Sequence, residues 1–264
     1  ILAKAAQITY KGTCINLVDT PGHADFGGEV ERALHIVDGI VLLVDAAEGP
    51  LPQTRYVLSK AMEANLPAIV VLNKVDRQDA RTQEVLEEVE QLFLDLAKTD
   101  EQLAFQVISA VAREGRAMVG VGMPAADADL SALLDCMLTL PAPSSDPNGI
   151  LQALVTNLDA SEYLGRLAIG RVYSGTLKKG ETVAVMQKPN EDGSESVIRR
   201  RLTQLYAFDG IGRREVDSVE AGDLFVVSGI PEVQVGDTLC TIDQQVPLAR
   251  LSVDEPVIRM SFGV

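Results

Sequence analysis

Residues 13–26 have the sequence TCINLVDTPGHADF, in which a short apolar segment runs directly into a Pro-Gly turn. The apolar residues within 15–18 predict a buried strand, and Asp19 follows at its carboxyl end, where open α/β sheets hold their ligands. Gly22 breaks the strand and leaves a backbone N–H that can approach a bulky anion. Asp19 can hold Mg²⁺ through water, with His23 just beyond the turn. The stretch therefore predicts a phosphate-hydrolysis edge, and an acidic strand end with an ordinary turn is the alternative.

The bulk composition indicates a cytoplasmic protein of two domains. The chain has 264 residues, 47% of them apolar, which is enough for more than one packed core. No apolar run approaches the roughly 20 residues of a membrane span, and the first residues do not have the form of a signal peptide. The three cysteines are widely separated and form no Cys-x-x-Cys pair, which predicts buried, reduced thiols and no zinc site.

The formal charge of -15 is spread over both halves of the chain and argues against indiscriminate binding to DNA, RNA or membranes. The main concentration of basic residues comprises 199–201 together with Arg213 and Arg214. On an alternating strand such residues are usually a solvated rim, and contact with RNA phosphate is the minority interpretation. Any RNA contact is therefore expected to be local.

Strands and helices alternate up to residue 141, which predicts a parallel sheet with flanking helices. Polar residues stand at the ends of three predicted strands: Asp19, Asn73 and Ser109. The carboxyl ends of parallel strands lie on one edge of a sheet, so these residues are expected on one edge. The predicted strands are 6–10, 13–19, 40–44, 68–72 and 105–108, and the first two are expected to form a hairpin with its turn at 11–12. One helix is predicted after Asp25, and further helices are predicted near 51–64, 83–97 and 129–139.

A linker rich in Pro, Ser and Gly at 141–149 separates this region from a second one. Beyond it, short strands, including one predicted over 196–207, alternate with Gly-containing and charged turns, which predicts a small closed β-barrel. Residues 252–264 resemble the first strand of a further domain. The predicted fold is thus α/β followed by all-β, with domains at 1–141, 142–248 and 249–264.

The sequence Asn73-Lys-Val-Asp76 follows the predicted strand 68–72 and is suited to recognising a purine. The carboxylate of Asp76 can accept hydrogen bonds from the N1–H and the exocyclic amine of guanine, groups that adenine does not present together. Asn73 can tie the loop to its neighbours, and the stem of Lys74 can lie across the ring face. The backbone at 109–110 can donate to the guanine carbonyl. A polar loop without a ligand is the alternative for any one of these short motifs.

These motifs resemble the third, fourth and fifth G-box motifs of the translational GTPases. Longer stretches are similar to the TypA/BipA family of ribosome-associated GTPases: HADFGGEVER (23–32), VDAAEGPLPQTR (44–55), NKVDR (73–77), TDEQLAF (99–105) and LSVDEP (251–256). The likeness extends over essentially the whole chain. Elongation factor G and LepA share the G-boxes and remain the alternatives within the same class.

The resemblance implies the following roles. Asp19 would hold Mg²⁺ through water, Gly22 would sense the γ-phosphate of GTP, and His23 would position the attacking water as the catalytic residue. The implied nucleotide-binding residues are Asp19, Thr20, Pro21, Gly22, Asn73, Lys74, Val75, Asp76, Ser109 and Ala110. The implied cofactors are GTP or GDP and Mg²⁺.

The chain contains no Gly-x-x-x-x-Gly-Lys-[Ser/Thr] sequence, the P-loop that cradles the α- and β-phosphates. We therefore interpret it as an internal fragment with an incomplete P-loop-type G domain that lacks the P-loop strand, a β-barrel second domain and the start of a ferredoxin-like third domain. The parent protein is expected to hydrolyse GTP to GDP and phosphate as a cytoplasmic monomer on the ribosome, contacting its RNA and proteins, but not DNA or membranes. The fragment alone is expected to be inactive, and the alternative is a truncated ribosome- or protein-binding module.

Overall fold

The computed structural model describes residues 4–20, 27–189 and 196–249. In chain order the elements are β1 (Lys4–Tyr10), β2 (Thr13–Asp19), α1 (Gly27–Leu34), β3 (Ile40–Asp45), α2 (Pro52–Glu63), β4 (Ala68–Asn73), α3 (Thr82–Leu96), β5 (Gln106–Val111), β6 (Arg116–Val119), α4 (Ser131–Met137), β7 (Gln152–Ser161), β8 (Gly165–Ser174), β9 (Thr176–Lys178), β10 (Thr182–Gln187), β11 (Ser196–Arg201), β12 (Leu205–Asp209), β13 (Gly212–Glu215), β14 (Ser218–Glu220), β15 (Leu224–Ser228) and β16 (Thr238–Cys240). Of the predicted third domain, only residue 249 is described.

The described residues group into two compact units. The α/β unit comprises 37–143, and the β unit comprises 4–20, 27–36 and the described residues from 144 onwards. The change of unit at 143/144 lies within the predicted linker. Residues 4–20 and 27–36 are assigned to the β unit because of their contacts with it. The domain boundaries at 1 and 141 therefore remain a prediction.

The α/β unit is built on a four-stranded sheet in the order β3-β4-β5-β6. Strands β3, β4 and β5 are parallel, and the apolar runs of β4 and β5 are largely buried, as expected of strands covered by helices. In β3 burial alternates, with Leu42 and Val44 buried and Leu43 61% exposed. Ile69, Val71 and Ile108 pack with Cys136 of α4 on one face of the sheet. Strand β6 runs antiparallel to β5 and was not predicted, because its four residues lie between Gly115 and Gly120. Pairing with β6 extends β5 to Val111, beyond the predicted end at 108.

The β unit contains the predicted N-terminal hairpin, with β1 and β2 antiparallel in full register. The turn residues Lys11 and Gly12 have φ values of 49° and 80°, which match the positive φ of a two-residue hairpin turn. The expectation that β2 belongs to the parallel sheet is wrong for the sheet observed. Among the described residues β2 pairs with β1 alone, and β3 pairs with β4 alone, so no strand connects the two sheets.

The rest of the β unit is an eight-stranded antiparallel sheet in the order β11-β10-β16-β7-β8-β15-β12-β13, with a separate pair β14-β9. The sheet wraps around one apolar core that includes Val155, Val172, Val185, Leu205 and Phe225. The all-β character of this part is confirmed. The ladders of the described residues end at β11 and β13, but β11 and β12 are consecutive parts of one segment, 196–209. Strand β11 pairs with β10 and β12 pairs with β15, so this segment borders both ends of the sheet, as expected for the predicted closure of the barrel.

Within the described ranges, no helix combines the length and the apolarity needed to cross a membrane. The expectation of buried cysteines holds for Cys136 and Cys240 but is wrong for Cys14, which lies one residue from the turn of the β1–β2 hairpin and is exposed. Burial raises the pKa of the Cys136 thiol, which keeps it protonated.

Candidate functional site

The segment Asn73–Asp76 leaves the carboxyl end of β4 and is tied to the end of β5. The Oδ1 atom of Asn73 accepts a hydrogen bond from the amide of Ala112 at 3.1 Å and one from the amide of Lys74 at 2.8 Å. The amide of Val75 donates to the carbonyl of Ala110 at 3.4 Å. The structure therefore brings Asn73, Val75 and Ala110 together, and the side chain of Asn73 has the tethering contact expected from the sequence.

Asp76 has a cationic partner in the structure. Its Oδ2 atom lies 3.0 Å from Nη2 of Arg113, which follows β5. The Asp76 side chain is 21% exposed and that of Arg113 is 75% exposed, so the arginine sits on the solvent side of the pair. A guanidinium presents N–H groups on one carbon, as the N1–C2–N2 edge of guanine does. The contact shows that the Asp76 carboxylate can be reached by an N–H donor from the solvent side.

Ser109 and Ala110 lie inside β5 rather than after it, and both are buried. The Ser109 hydroxyl donates to the carbonyl of Gly120 at 2.8 Å and accepts from the amide of Gly122 at 3.1 Å. It therefore holds the segment after β6 against β5. This support role was not predicted, because it depends on strand β6.

Asp45, at the carboxyl end of β3, was not predicted as a site residue. It is in register with Asn73 of β4, and its Oδ2 atom lies 2.7 Å from Nζ of Lys74 and 3.4 Å from Nη1 of Arg77. Its Oδ1 atom accepts from the amides of Ala47 at 2.8 Å and Glu48 at 3.3 Å. The sequence does contain a sign of this role. Asp45 is a carboxylate at the end of an apolar strand, and the next strand leads into the Asn73–Asp76 loop.

The Asp45 carboxylate is ionised over a wide pH range. Burial alone would raise its pKa, but the hydrogen bond from Lys74, the two amide hydrogen bonds and the lysine charge together lower the pKa to about 2. The same hydrogen bond and charge raise the pKa of Lys74. Arg77 also pairs with Asp79 at 2.7 Å, which raises the pKa of the guanidinium. The charged side chains at this edge of the sheet therefore neutralise one another in ion pairs.

Asp19 ends β2 in the β unit, with its side chain exposed. Within the described part of the chain, no group of three or more His, Cys, Asp or Glu residues is arranged to bind a metal. Thr20 is the next residue. Three predicted site residues, Pro21, Gly22 and His23, lie outside the described residues.

The predicted basic cluster is largely engaged in contacts within the β unit. Arg200 pairs with Glu232 at 2.5 Å, and Arg213 pairs with Asp159 at 2.7 Å. Arg201 donates to the carbonyl of Gly180 at 3.0 Å. These contacts fit the interpretation of the cluster as a solvated strand rim.

Comparison with known proteins identifies the family of the chain. The profile of the family described as the elongation factor Tu GTP binding domain matches residues 1–160, and that of elongation factor Tu domain 2 matches residues 165–240. The chain is 46% identical over its whole length to the large ribosomal subunit assembly factor BipA of Bacillus subtilis, of which it covers 42%. It is 43% identical to a putative elongation factor TypA-like protein, SVR3, of Arabidopsis thaliana, covering 38% of that protein.

A third relative, the large ribosomal subunit assembly factor BipA of Escherichia coli O157:H7, is 40% identical over the whole chain, which covers 42% of its length. The chain therefore spans about two fifths of the length of these relatives. The resemblance to the TypA/BipA proteins that the sequence motifs indicated is confirmed. BipA and TypA proteins match the chain over all of its 264 residues, and the chain belongs to the family of the elongation factor Tu GTP-binding domain.

Proposed function

We propose that the chain is part of a ribosome-associated GTPase of the translation elongation factor type, which binds GTP and hydrolyses it to GDP and phosphate. The observation that carries the proposal is the Asp76 carboxylate, presented at the end of a tethered loop and already paired with a guanine-like guanidinium at 3.0 Å. The alternative of a binding module without nucleotide chemistry is not favoured, because the GTP-binding family profile covers all the proposed nucleotide residues.

Base selection rests on Asp76 in this proposal. Its two carboxylate oxygens would accept from N1–H and the exocyclic amine of guanine, while Lys74 lies along the ring face and the backbone at Ser109 and Ala110 donates to the guanine carbonyl. Each buried hydrogen bond to a charged acceptor contributes about 1.5–3 kcal/mol, so losing two would weaken binding by several powers of ten.

Asp19 and the residues after it would bind Mg²⁺ and the γ-phosphate of GTP. The Asp19 carboxylate is a hard oxygen donor at a strand end, which fits Mg²⁺ bound through water. When bound, the metal would neutralise charge on the phosphate oxygens. Thr20 and Pro21 would place the Gly22 amide near the γ-phosphate, and His23 would orient the attacking water.

No Gly-x-x-x-x-Gly-Lys-[Ser/Thr] sequence is present in the 264 residues, and the relatives are more than twice as long. We propose that the α- and β-phosphate contacts come from a part of the protein outside these residues. We also propose the domain division at 1–141, 142–248 and 249–264, with the last segment opening a third domain.

The proposed partner is the large ribosomal subunit, since the BipA relatives are named as its assembly factors. The net charge of -15 favours a few local contacts over broad binding to RNA. We propose a cytoplasmic monomer that contacts neither DNA nor membranes.

The test of base selection uses the protein encoded by the whole gene. Replacing Asp76 with Asn should shift preference from GTP to xanthosine triphosphate, because xanthine offers a carbonyl where guanine has its amine. Asp79→Asn is the matched control, since it removes a nearby carboxylate that pairs with Arg77 and should leave the preference unchanged. An unaltered preference for GTP in the Asp76 variant would contradict the proposal.

The hydrolytic role is tested with His23→Ala in the same protein. GTP affinity should stay nearly intact, while turnover stimulated by ribosomes should be lost. His35→Ala is the control, because His35 is the second of the two histidines in the chain and is exposed at the end of α1. Full stimulation in the His23 variant would remove that residue from the mechanism.

A further inference from the structure

The carboxylate of Asp45 connects the loops after β3 and β4, and no role has been given to it so far. Asp45 is 12% exposed and contacts both Lys74 and Arg77, at 2.7 Å and 3.4 Å. These partners lie on either side of Asp76 in the chain. A single charged side chain therefore connects β3 to the loop that carries the base-selecting residue.

The orientation of the Asp45 carboxylate is fixed by its own loop. One oxygen accepts the amides of Ala47 and Glu48, which leaves the other directed to Lys74. The loop closes with the amide of Gly49 donating to the Asp45 carbonyl at 2.9 Å. Because the carboxylate is held at both oxygens, it can act as a rigid anchor for the lysine.

The loop of Asp45 is itself clamped from α3. The backbone amide of Arg81 donates to the carbonyl of Ala46 at 2.9 Å, and its Nε donates to the carbonyl of Ala47 at 2.9 Å. Arg81 also pairs with Glu88 of α3. These contacts hold the Asp45 loop without involving Lys74.

Lys74, by contrast, needs an external restraint. Its φ of 63° is in the left-handed region, which L side chains other than Asn and Asp rarely adopt. Its side chain is 55% exposed, so it is not held by packing. Its backbone is restrained by the hydrogen bond from its amide to Asn73 and by that from the Arg77 amide to its carbonyl at 3.1 Å, and its ammonium by the ion pair with Asp45.

We propose that Asp45 is a positioning residue for guanine nucleotide binding, which holds the Lys74 ammonium so that the lysine stem lies along the face of the base selected by Asp76. The inference rests on the proposed function. A positioned stem contacts the ring and not its exocyclic groups, so Asp45 adds affinity for purine nucleotides without adding discrimination between them.

The test is the affinity of the full-length protein for GDP and inosine diphosphate, which lacks the exocyclic amine. Asp45→Asn keeps an oxygen for the Ala47 amide and removes the charge. It should raise the Kd for both nucleotides by the same factor, about three- to ten-fold for a partly buried ion pair. Asp79→Asn, which touches Arg77 but not Lys74, is the control and should leave both Kd values unchanged.

A double-mutant cycle separates positioning from a structural effect. Lys74→Met keeps the apolar stem and removes the ammonium, and in that background Asp45→Asn should have no further effect on Kd. Unchanged Kd values in the Asp45 variant, or an equal loss with and without the ammonium, would overturn the inference. Urea unfolding of each variant shows whether a loss of binding comes from a loss of folded protein.

The two proposals fail in different ways. If Asp76→Asn does not alter the choice between guanine and xanthine nucleotides, the proposed function is wrong whatever Asp45 does. If Asp76→Asn switches the base while Asp45→Asn leaves both affinities unchanged, only the positioning role of Asp45 is wrong.

Discussion

Two carboxylates, Asp45 and Asp76, pair with cations at the same edge of the α/β sheet, and their surroundings differ. Asp45 is 12% exposed, accepts two backbone amides and has two cationic partners. Asp76 is 21% exposed and is paired with an arginine that is 75% exposed and reaches it from the next loop. The difference indicates a permanent contact at Asp45 and an exchangeable one at Asp76, as expected if one carboxylate supports the site and the other receives the ligand.

The largest effect is expected at the exchangeable pair. Asp76→Ala removes both acceptors for the base, so the Kd for GDP of the full-length protein should rise at least about a hundred-fold, given about 1.5–3 kcal/mol for each lost bond. Folding stability should change little, because the pair with exposed Arg113 contributes little. Calorimetric titration with GDP and urea unfolding measure the two quantities. Equal losses of binding and of stability would place Asp76 among the structural residues.

Asp45→Asn should lower folding stability in addition to nucleotide affinity. The folded-state pKa of about 2 lies below the ordinary value of 3.8, so ionised Asp45 stabilises the fold above about pH 4, and this contribution is lost as pH falls towards 2. A depression of this size corresponds to about 2 kcal/mol. The difference in free energy of unfolding between wild type and variant should be full at pH 6, largely lost at pH 2 and absent below it. A difference independent of pH in urea titrations would assign the effect to packing.

The rigidity of the Asp45 loop is tested at Gly49, whose φ is 78° and where an added Cβ would lie 2.4 Å from Oε2 of Glu88. Gly49→Ala should cost about 2 kcal/mol, from backbone strain and displacement of Glu88 from Arg81. Gly120, with φ of 82° and open space around it, is the matched control. Gly120→Ala should cost about 1 kcal/mol, from strain alone. Equal losses of unfolding free energy in the two variants, measured with urea, would mean that the Arg81–Glu88 pair does not contribute to stability.

The smallest effect is expected for Arg113→Ala. If this guanidinium competes with the base for Asp76, its removal should lower the Kd for GDP by about two- to five-fold, the range of an exposed ion pair. The gain should shrink at high salt, because salt screens the competing pair. Calorimetry at low and high salt measures both. Weaker binding in the variant would show that Arg113 assists the nucleotide instead of excluding it.

The parts of the fold that follow from local patterns were predictable. The apolar runs of β3, β4 and β5 consist of consecutive residues, and so does the hairpin turn at 11–12. Each can therefore be recognised from a short stretch of sequence. Strand β6 was missed because four residues between glycines carry little pattern of their own. The break between β11 and β12 at 202–204 was missed for the opposite reason, since the residues around it read as one continuous strand.

The same distinction applies to the site. The Asn73–Asp76 loop is a local motif, and its tether to Ala112 followed from the chemistry of an amide at a strand end. The roles of Asp45 and Arg113 depend on contacts between residues 29 to 37 positions apart, which no local pattern specifies. The separation of β2, which ends at Asp19, from the parallel sheet likewise depends on strand pairing beyond the local hairpin, which the sequence order does not determine.

A structure of the full-length protein with GDP bound tests base selection most directly. The Asp76 carboxylate should accept from N1–H and the exocyclic amine of guanine, Arg113 should no longer contact Asp76, and Lys74 should still contact Asp45. A base bound away from Asp76, or an Arg113–Asp76 pair intact beside the bound nucleotide, would contradict the proposed role of Asp76.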